Sequence, residues 1–161
     1  MGLYRSVFRP LLFRADAELI HRVAIRAAEL AGSSARLCSS VAARHAPVSE
    51  RLALEVAGIG FRTPLGLAAG FDKSARAVPF FASLGFGHIE VGSISAEPSS
   101  GNQRPRLFRI PLDRGIVVNY GLPNDGAECV AARLAGLRAS TPVGTVPTPA
   151  TDGTSSTCRV A

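Results

Sequence analysis

A strand–helix–strand pattern near the middle of the sequence constrains the fold of this chain more than any other feature. Pro64–Ala69 is a short apolar run that ends in small residues, which is typical of a buried strand in a parallel sheet. Ala75–Leu84 is predicted to form a helix closed by Gly85, and Pro79 within it indicates either a kink or a later start. His88–Val91 is the next apolar run. The pattern predicts a βαβ unit and therefore an α/β fold.

Two helices are predicted upstream of this unit. Asp16 can cap a helix that begins at Ala17, and Gly32 is a suitable end for it. A second helix is expected from about Ser34 to Arg44. The apolar positions of the first helix are spaced at about 3.6 residues, the period of an α-helix, so they are predicted to lie on one face. These positions are Leu19, Ile20, Val23, Ala27 and Leu30.

The first fifteen residues combine apolar side chains with arginines. The apolar positions are Val7, Phe8, Leu11, Leu12 and Phe13, and the arginines are Arg5, Arg9 and Arg14. This pattern is typical of a helix that lies on an anionic membrane surface, and it equally fits a helix that packs against the rest of the protein. No apolar run reaches the roughly 18 residues of a spanning helix, so we expect no membrane crossing.

Composition excludes several classes of function. The chain carries a formal charge of +6, and its 18 basic residues comprise 17 arginines and one lysine, Lys73. The arginines are scattered, whereas a nucleic-acid binder carries a clustered basic stripe, so no nucleic-acid partner is expected. The three cysteines have no CxxC spacing, which argues against a metal site.

The regions on either side of the βαβ unit are predicted to form shorter elements. Leu52–Phe61 alternates apolar and polar or small residues around Gly58, as in a hairpin. Leu107–Ile110 is expected to be extended, and Asn124 or Asp125 can cap a helix that runs through Leu134. Ser140–Ala161 contains six Thr, three Pro and three Ser among its 22 residues, which predicts disorder.

Three short segments carry residues suited to binding a flat, anionic ligand. Leu65–Ser74 (LGLAAGFDKS) leads from a strand end, where small residues admit a ligand to the backbone, to the single lysine. Because every other basic residue is Arg, we interpret Lys73 as a functional ammonium group rather than a solvated loop lysine. Ser93 follows the next strand. Asn119 lies beside a glycine, although this segment alone predicts no more than a turn and a helix cap.

Together these segments resemble one family. LAAGFDK, EVGSIS, the loop GNQRPRLFRIP and NYGLPNDG, in this order and spacing, resemble the quinone-linked (class 2) dihydroorotate dehydrogenases from about residue 3 to Gly144. The resemblance implies a (β/α)₈ TIM barrel with FMN at the carboxyl ends of its strands. It also implies an N-terminal helical pair that lies on the membrane and admits the quinone. The implied reaction is oxidation of dihydroorotate to orotate in pyrimidine biosynthesis.

The resemblance carries site residues onto this sequence by position. The implied FMN-binding residues are Ala69, Gly70, Phe71, Asp72, Lys73 and Ser93. The implied substrate-binding residues are Lys73, Val118, Asn119, Tyr120, Gly121 and Leu122. The family's substrate asparagine falls on Val118 by count, and Asn119 takes the next position, so either the loop is shifted by one residue or substrate affinity is altered.

The resemblance also implies a division of the chain. Residues 1–46 are expected to be a membrane- and quinone-associated helical region, 52–144 the N-terminal part of the barrel with about three strands, and 145–161 a divergent tail. The family's catalytic base is expected after Gly144 and is not found there, so the chain alone is predicted to be inactive. The expected location is peripheral, on the cytoplasmic side of a bacterial inner membrane. The alternatives are a non-catalytic membrane-peripheral fragment and, less favoured, another FMN barrel oxidoreductase.

Overall fold

The computed structural model describes residues 2–46 and 49–140. A π-helical turn, Tyr4–Phe8, is followed by three helices: α1 (Arg9–Arg14), α2 (Ala17–Gly32) and α3 (Ala35–His45). Asp16 Oδ1 accepts a hydrogen bond from the Leu19 N–H at 2.7 Å, which is the cap expected from the sequence. Ser34 Oγ accepts one from the Leu37 N–H at 3.3 Å at the start of α3. The predicted starts of α2 and α3 are therefore confirmed to within one residue.

Six short strands form three two-stranded sheets in the described part of the chain. Two of these sheets are antiparallel hairpins, β1 (Leu54–Val56) with β2 (Ile59–Phe61) and β5 (Leu107–Ile110) with β6 (Gly115–Val118). The third is parallel and pairs β3 (Gly66–Leu67) with β4 (His88–Ile89). A 3₁₀ turn, Glu50–Leu52, precedes β1, and the helices α4 (Val78–Ser83) and α5 (Ala127–Ser140) are the remaining elements of the described residues. Both predicted hairpin strands and the extended segment at Leu107–Ile110 are confirmed, whereas β6 was not predicted.

The βαβ unit has the predicted order but different bounds. Helix α4 begins at Val78 and places Pro79 in its first turn, where the missing N–H of proline leaves no helical bond unmade, so the later start is correct. The predicted parallel strand within Pro64–Ala69 is confirmed, but it is shorter than expected and is not buried. β3 spans two half-buried residues, and the Leu65 side chain before it is 64% exposed. Within the described residues β3 pairs only with β4, so the expected three barrel strands reduce to one parallel pair.

The core lies between α2 and the βαβ unit. Its buried residues are Ile25 and Ala28 from α2 and Ala77 and Phe81 from the α4 region, with Leu67 and Ile89 of the parallel pair packed against them. Gly32 permits close contact at the end of α2, because a Cβ there would lie 3.2 Å from the Phe80 main-chain nitrogen.

The predicted apolar face of α2 is not the buried face. Leu19, Val23 and Leu30 are 44%, 56% and 66% exposed, whereas Glu18, Ile25 and Ala28 are buried. The prediction failed because α2 packs through Ile25 and Ala28, and because the carboxylate of Glu18 is buried with an ionic partner. An apolar stripe along α2 therefore faces outward.

The C-terminal helix begins after a turn made by Asn124. Asn124 Oδ1 accepts from the Gly126 N–H at 2.9 Å, and the Gly126 carbonyl accepts from the Val130 N–H at 3.1 Å. The predicted capping residue thus holds the turn before α5 rather than the helical N–H groups. The tail that is predicted to be disordered lies beyond Ser140, outside the described residues. Among the described helices, none is both long and apolar enough to cross a membrane.

Candidate functional site

The parallel strand pair brings two of the predicted ligand-binding segments together. The Gly70 N–H donates to the Gly92 carbonyl at 2.9 Å, beyond the carboxyl ends of β3 and β4. Ser93 follows immediately, and its side chain is exposed. Ala69 lies beside the same bond, with its N–H 3.4 Å from the Glu90 carboxylate. The small residues after β3 and the hydroxyl after β4 therefore share one edge, where ligands bind in parallel α/β folds.

Gly70 leaves the main chain open at this edge. Its φ of +96° lies in the region that favours glycine, and no heavy atom lies within 4 Å of the position that a Cβ would take. A flat ring system can approach the backbone closely at Gly70, because there is no side chain to keep it away. This open main-chain surface is the feature that fits a flavin.

The side chains of Phe71 and Asp72 stabilise the loop itself. Asp72 is 1% exposed, and its two carboxylate oxygens accept from the main-chain N–H groups of Arg76 at 2.9 Å and Ala77 at 2.7 Å. The Phe71 ring makes edge contacts with the rings of His21 and Phe81, at centroid distances of 5.0 Å and 5.5 Å. These predicted FMN residues thus fix the loop between α2 and α4 through their side chains.

Lys73 and Tyr120 join the first and third predicted segments. Lys73 Nζ donates to the Gly70 carbonyl at 2.8 Å and lies 4.2 Å from the centroid of the Tyr120 ring. Burial lowers the pKa of Lys73, and the positive charge of Arg106 lowers it further. Burial also raises the pKa of Tyr120. The structure therefore places an ammonium group and a phenol ring side by side near the open backbone at Gly70.

The remaining substrate-segment residues lie on an exposed turn. Val118 ends β6 opposite Leu107 and is 49% exposed, so it presents methyl groups and no hydrogen-bonding atom. Asn119 Oδ1 accepts from Asn102 Nδ2 at 2.9 Å. Of the two candidates for the substrate asparagine, only Asn119 carries an amide, and the structure directs its oxygen to Asn102.

The chain then turns tightly at Gly121. Its φ is +67°, and a Cβ there would lie 2.8 Å from the Asn102 main-chain nitrogen, so only glycine fits without movement. Leu122 follows and is 52% exposed. The structure thus brings Tyr120 to Lys73 and leaves Val118 and Leu122 on the surface.

Sequence reasoning missed a buried ion pair beside this site. Arg106 and Glu18 are each 4% exposed, and Arg106 donates to the Glu18 carboxylate through Nε at 3.0 Å and Nη2 at 2.7 Å. Arg106 Nη1 also donates to the carbonyls of Ser100 and Asn102, and the guanidinium lies 4.8 Å from the Tyr120 centroid. The hydrogen bond from Arg106 lowers the pKa of Glu18. A weak sequence signal exists, because Glu18 precedes Ile25 by seven residues and so lies on the buried face.

A second polar cluster ties the same loop to α5. Asp125 Oδ2 accepts from Arg76 Nη2 at 2.7 Å and from Arg133 Nη1 at 2.5 Å. Arg133 Nη1 also donates to the Ser74 carbonyl at 2.9 Å, and the Asp125 N–H donates to Ser74 Oγ at 3.1 Å. Burial alone would raise the pKa of Asp125, but the two arginines together lower it.

The Glu18–Arg106 pair, Arg76 and Asp125 border a cleft of about 400 Å³. Its walls are the inner side of α2, the loop after β3, the loop before β5 and the turn after β6. Lys73, Tyr120, Arg106 and His21 all line it. The cleft is large enough for one small ligand and carries both acidic and basic groups.

The α/β fold corresponds to a known family of α/β oxidoreductases, and the sequence comparison specifies it. The chain belongs to the dihydroorotate dehydrogenase family, whose sequence model matches residues 51–151. Among similar proteins is "Dihydroorotate dehydrogenase (quinone)" from Gloeobacter violaceus, 47% identical over 146 residues, which span 89% of this chain and 40% of that protein. The protein of the same name from Acidithiobacillus ferrooxidans is 44% identical over 132 residues, or 82% and 36% of the two chains.

A solved structure agrees with this assignment. The crystal structure of DHODH from Eimeria tenella in complex with ferulenol superposes with a TM-score of 0.58 at 35% identity, covering 76% of this chain and 30% of that one. Both comparisons confirm the resemblance drawn from LAAGFDK, EVGSIS and NYGLPNDG. The chain spans about two fifths of the length of the curated relatives that it matches.

Proposed function

We propose that this chain supplies part of the FMN and substrate site of an enzyme that oxidises dihydroorotate to orotate, with a quinone as final electron acceptor. The observation that carries the proposal is the shared edge of β3 and β4, where Gly70 offers open main chain, Ser93 an exposed hydroxyl and Lys73 an ammonium group. Family membership supports the reaction class. The proposal includes a partial (β/α)₈ barrel over residues 52–144 and a divergent tail over residues 145–161.

The residues divide by role. Ala69, Gly70 and Ser93 would hold FMN through main-chain groups and a hydroxyl, while Phe71 and Asp72 keep the loop in place. The chemistry that FMN supplies when bound is hydride acceptance followed by electron transfer to the quinone. Lys73 lies where a cation would orient an anionic substrate, and its 2.8 Å bond to the Gly70 carbonyl holds it beside the residues that would bind FMN.

The substrate side is assigned to the turn after β6. Tyr120 supports Lys73, and Gly121 permits the close turn, while Val118, Asn119 and Leu122 would border the substrate. Between Val118 and Asn119, the amide of Asn119 is the group able to hydrogen-bond orotate. We assign no residue of this chain as the base that removes the substrate proton, and we expect the purified 161-residue chain to form no orotate.

Flavin binding tests the proposal directly. Purified chain with added FMN should show the perturbed flavin absorbance of a bound cofactor at about one per chain. Ser93→Ala should weaken this binding, whereas Ser40→Ala, an exposed serine on α3, should not. The absence of saturable FMN binding by a folded sample would refute the proposal.

A second function, peripheral attachment to a membrane through residues 1–46, is supported by exposed apolar side chains beside arginines. Leu3, Val7 and Leu11 are 66%, 52% and 62% exposed, and α2 presents a further outward apolar stripe. Attachment on the cytoplasmic side of the inner membrane would bring the quinone to the same helices. The alternative, a non-catalytic membrane-peripheral fragment, also predicts binding to lipid, but it does not predict binding of FMN.

Vesicle binding by the full chain tests attachment. The protein should co-sediment with anionic vesicles more than with neutral ones. Leu11→Asp should reduce this binding strongly, whereas Leu112→Asp, at a position 96% exposed in the β5–β6 turn, should reduce it little. Equal effects of the two changes would contradict attachment through the N-terminal helices.

A further inference from the structure

A continuous chain of contacts runs from helix α2 to the single lysine. Glu18 on α2 receives two hydrogen bonds from Arg106, at 3.0 Å and 2.7 Å. The Arg106 guanidinium lies 4.8 Å from the Tyr120 ring centroid, and Lys73 Nζ lies 4.2 Å from the same centroid. Each link joins groups distant in sequence, so the contacts depend on the tertiary fold.

The guanidinium of Arg106 is placed by more bonds than an ion pair requires. Its Nη1 donates to the carbonyls of Ser100 at 2.6 Å and Asn102 at 2.7 Å, and it lies 3.4 Å from the Tyr120 carbonyl. The planar fork of arginine satisfies all of these acceptors together, which an ammonium group could not do. Arg106 therefore fixes the backbone of Tyr120 as well as its ring.

Glu18 is the group that holds Arg106 in this orientation. The side chains of Glu18 and Arg106 are only 5% and 3% exposed. Because a buried charge needs a partner of opposite charge, each of these two groups depends on the other to remain ionised. Arg104 also pairs with Glu18 at 2.9 Å, but its side chain is 55% exposed and makes the weaker contact.

We propose that Glu18 and Arg106 are positioning residues that hold the Tyr120 ring against Lys73 and so join helix α2 mechanically to the ligand edge. The contacts from Glu18 through Arg106 and Tyr120 to Lys73 do not depend on the proposed FMN and substrate site. Only their role in function rests on that proposal. A change at the α2 end therefore alters the environment of Lys73 without touching it.

The few tyrosine and lysine residues of the chain allow Tyr120 and Lys73 to be observed by spectroscopy. It has two tyrosines, no tryptophan and one lysine, so Tyr4→Phe leaves Tyr120 as the only tyrosine. In that background, the near-ultraviolet circular dichroism of Tyr120 reports how firmly the ring is held, and the tyrosinate absorbance reports its ionisation. Neither measurement requires FMN, so its outcome is separate from that of the flavin titration.

The first test compares two isosteric changes on α2. Glu18→Gln should abolish the Tyr120 dichroism and shift its ionisation to lower pH, because the ring gains solvent and loses a nearby negative charge. Glu29→Gln is the matched control, since Glu29 lies on the same helix and cleft but pairs with Arg26 and Arg76. A folded Glu18→Gln protein with unchanged Tyr120 signals would overturn the proposal.

A second variant keeps the proposal testable if Glu18→Gln does not fold. Reductive methylation with a ¹³C label gives Lys73 a resolved NMR signal whose titration follows its ammonium group. Tyr120→Leu should raise the titration midpoint toward that of a solvated lysine, because the ring no longer shields the amine. Tyr4→Leu, at an exposed tyrosine, should leave the midpoint unchanged. An unaltered Lys73 midpoint in Tyr120→Leu would show that the ring does not position the lysine.

Discussion

Replacing Asp72 by alanine tests whether the loop after β3 is held by this carboxylate. The change removes two charge-assisted hydrogen bonds, from the N–H groups of Arg76 at 2.9 Å and Ala77 at 2.7 Å. Ala77 is 0% exposed, so water cannot replace the lost acceptor there. A hydrogen bond to a charged group contributes about 1.5–3 kcal/mol, and the two bonds share one acceptor group. We therefore expect the free energy of unfolding to fall by about 3 kcal/mol.

Urea unfolding followed by far-ultraviolet circular dichroism measures this loss. Asp72→Asn keeps one acceptor oxygen but turns an NH2 donor toward the other N–H group, so it should lose about as much, roughly 3 kcal/mol. Asp113→Ala is the matched control, because Asp113 is exposed in the β5–β6 turn and its loss should change stability by less than about 0.5 kcal/mol.

The reasoning fails if Asp72→Ala is as stable as Asp113→Ala. That result, combined with loss of FMN binding in Asp72→Asn, would mean that the carboxylate serves the ligand and not the loop. Loss of stability in Asp72→Ala with FMN binding retained in Asp72→Asn would support the structural role.

Three further predictions concern the site and the core. Gly70→Ala should weaken FMN binding and lower the free energy of unfolding by about 1 kcal/mol, because alanine is strained at this positive φ. Gly136→Ala, within α5, should instead raise the free energy of unfolding by about 1 kcal/mol. Flavin titration measures the change in binding, and urea unfolding measures the changes in stability. The pKa of Glu18 is lowered in the folded state, so its stabilisation is present above the ordinary glutamate range and is lost as pH falls through the lowered value. The urea midpoint should consequently fall less on acidification in Glu18→Gln than in the parent chain, and equal slopes would contradict the assignment. Phe81→Ala should lower the unfolding free energy by about 3 kcal/mol, and the exposed Leu112→Ala by less than about 0.5 kcal/mol; similar thermal melting of these two variants would exclude Phe81 from the core.

Local signals in the sequence predicted most of the element order, although they did not predict β6. Asp16 and Ser34 specify helix starts through side-chain oxygens that bond to N–H groups three residues later, so the interaction is visible in the sequence itself. The alternation around Gly58 likewise specifies a hairpin. At Pro79 the sequence left a kink or a later helix start open, and the structure shows the later start, with the proline in the first turn of α4.

The burial of α2 and the completion of the site could not be predicted in this way. Glu18 is polar, so a hydrophobic pattern assigns it to the surface, and its burial depends on Arg106, 88 residues away in sequence. The contact of Lys73 with Tyr120 depends in turn on where the β5–β6 hairpin places its following turn. Family resemblance named Lys73 and Tyr120 separately, but their side-chain contact required the fold.

The carboxylate of Asp125 has a consequence for how ligand binding would be observed. It accepts from Arg76 in the loop after β3 and from Arg133 in α5, so the loop and the helix share one anchor. If a ligand bound against Gly70 and Lys73, it would reduce the opening of this loop, and the shared Asp125 contact would transmit that restraint to α5. Slower amide hydrogen exchange in α5 would then register an occupied site from a distance, giving a label-free signal of binding.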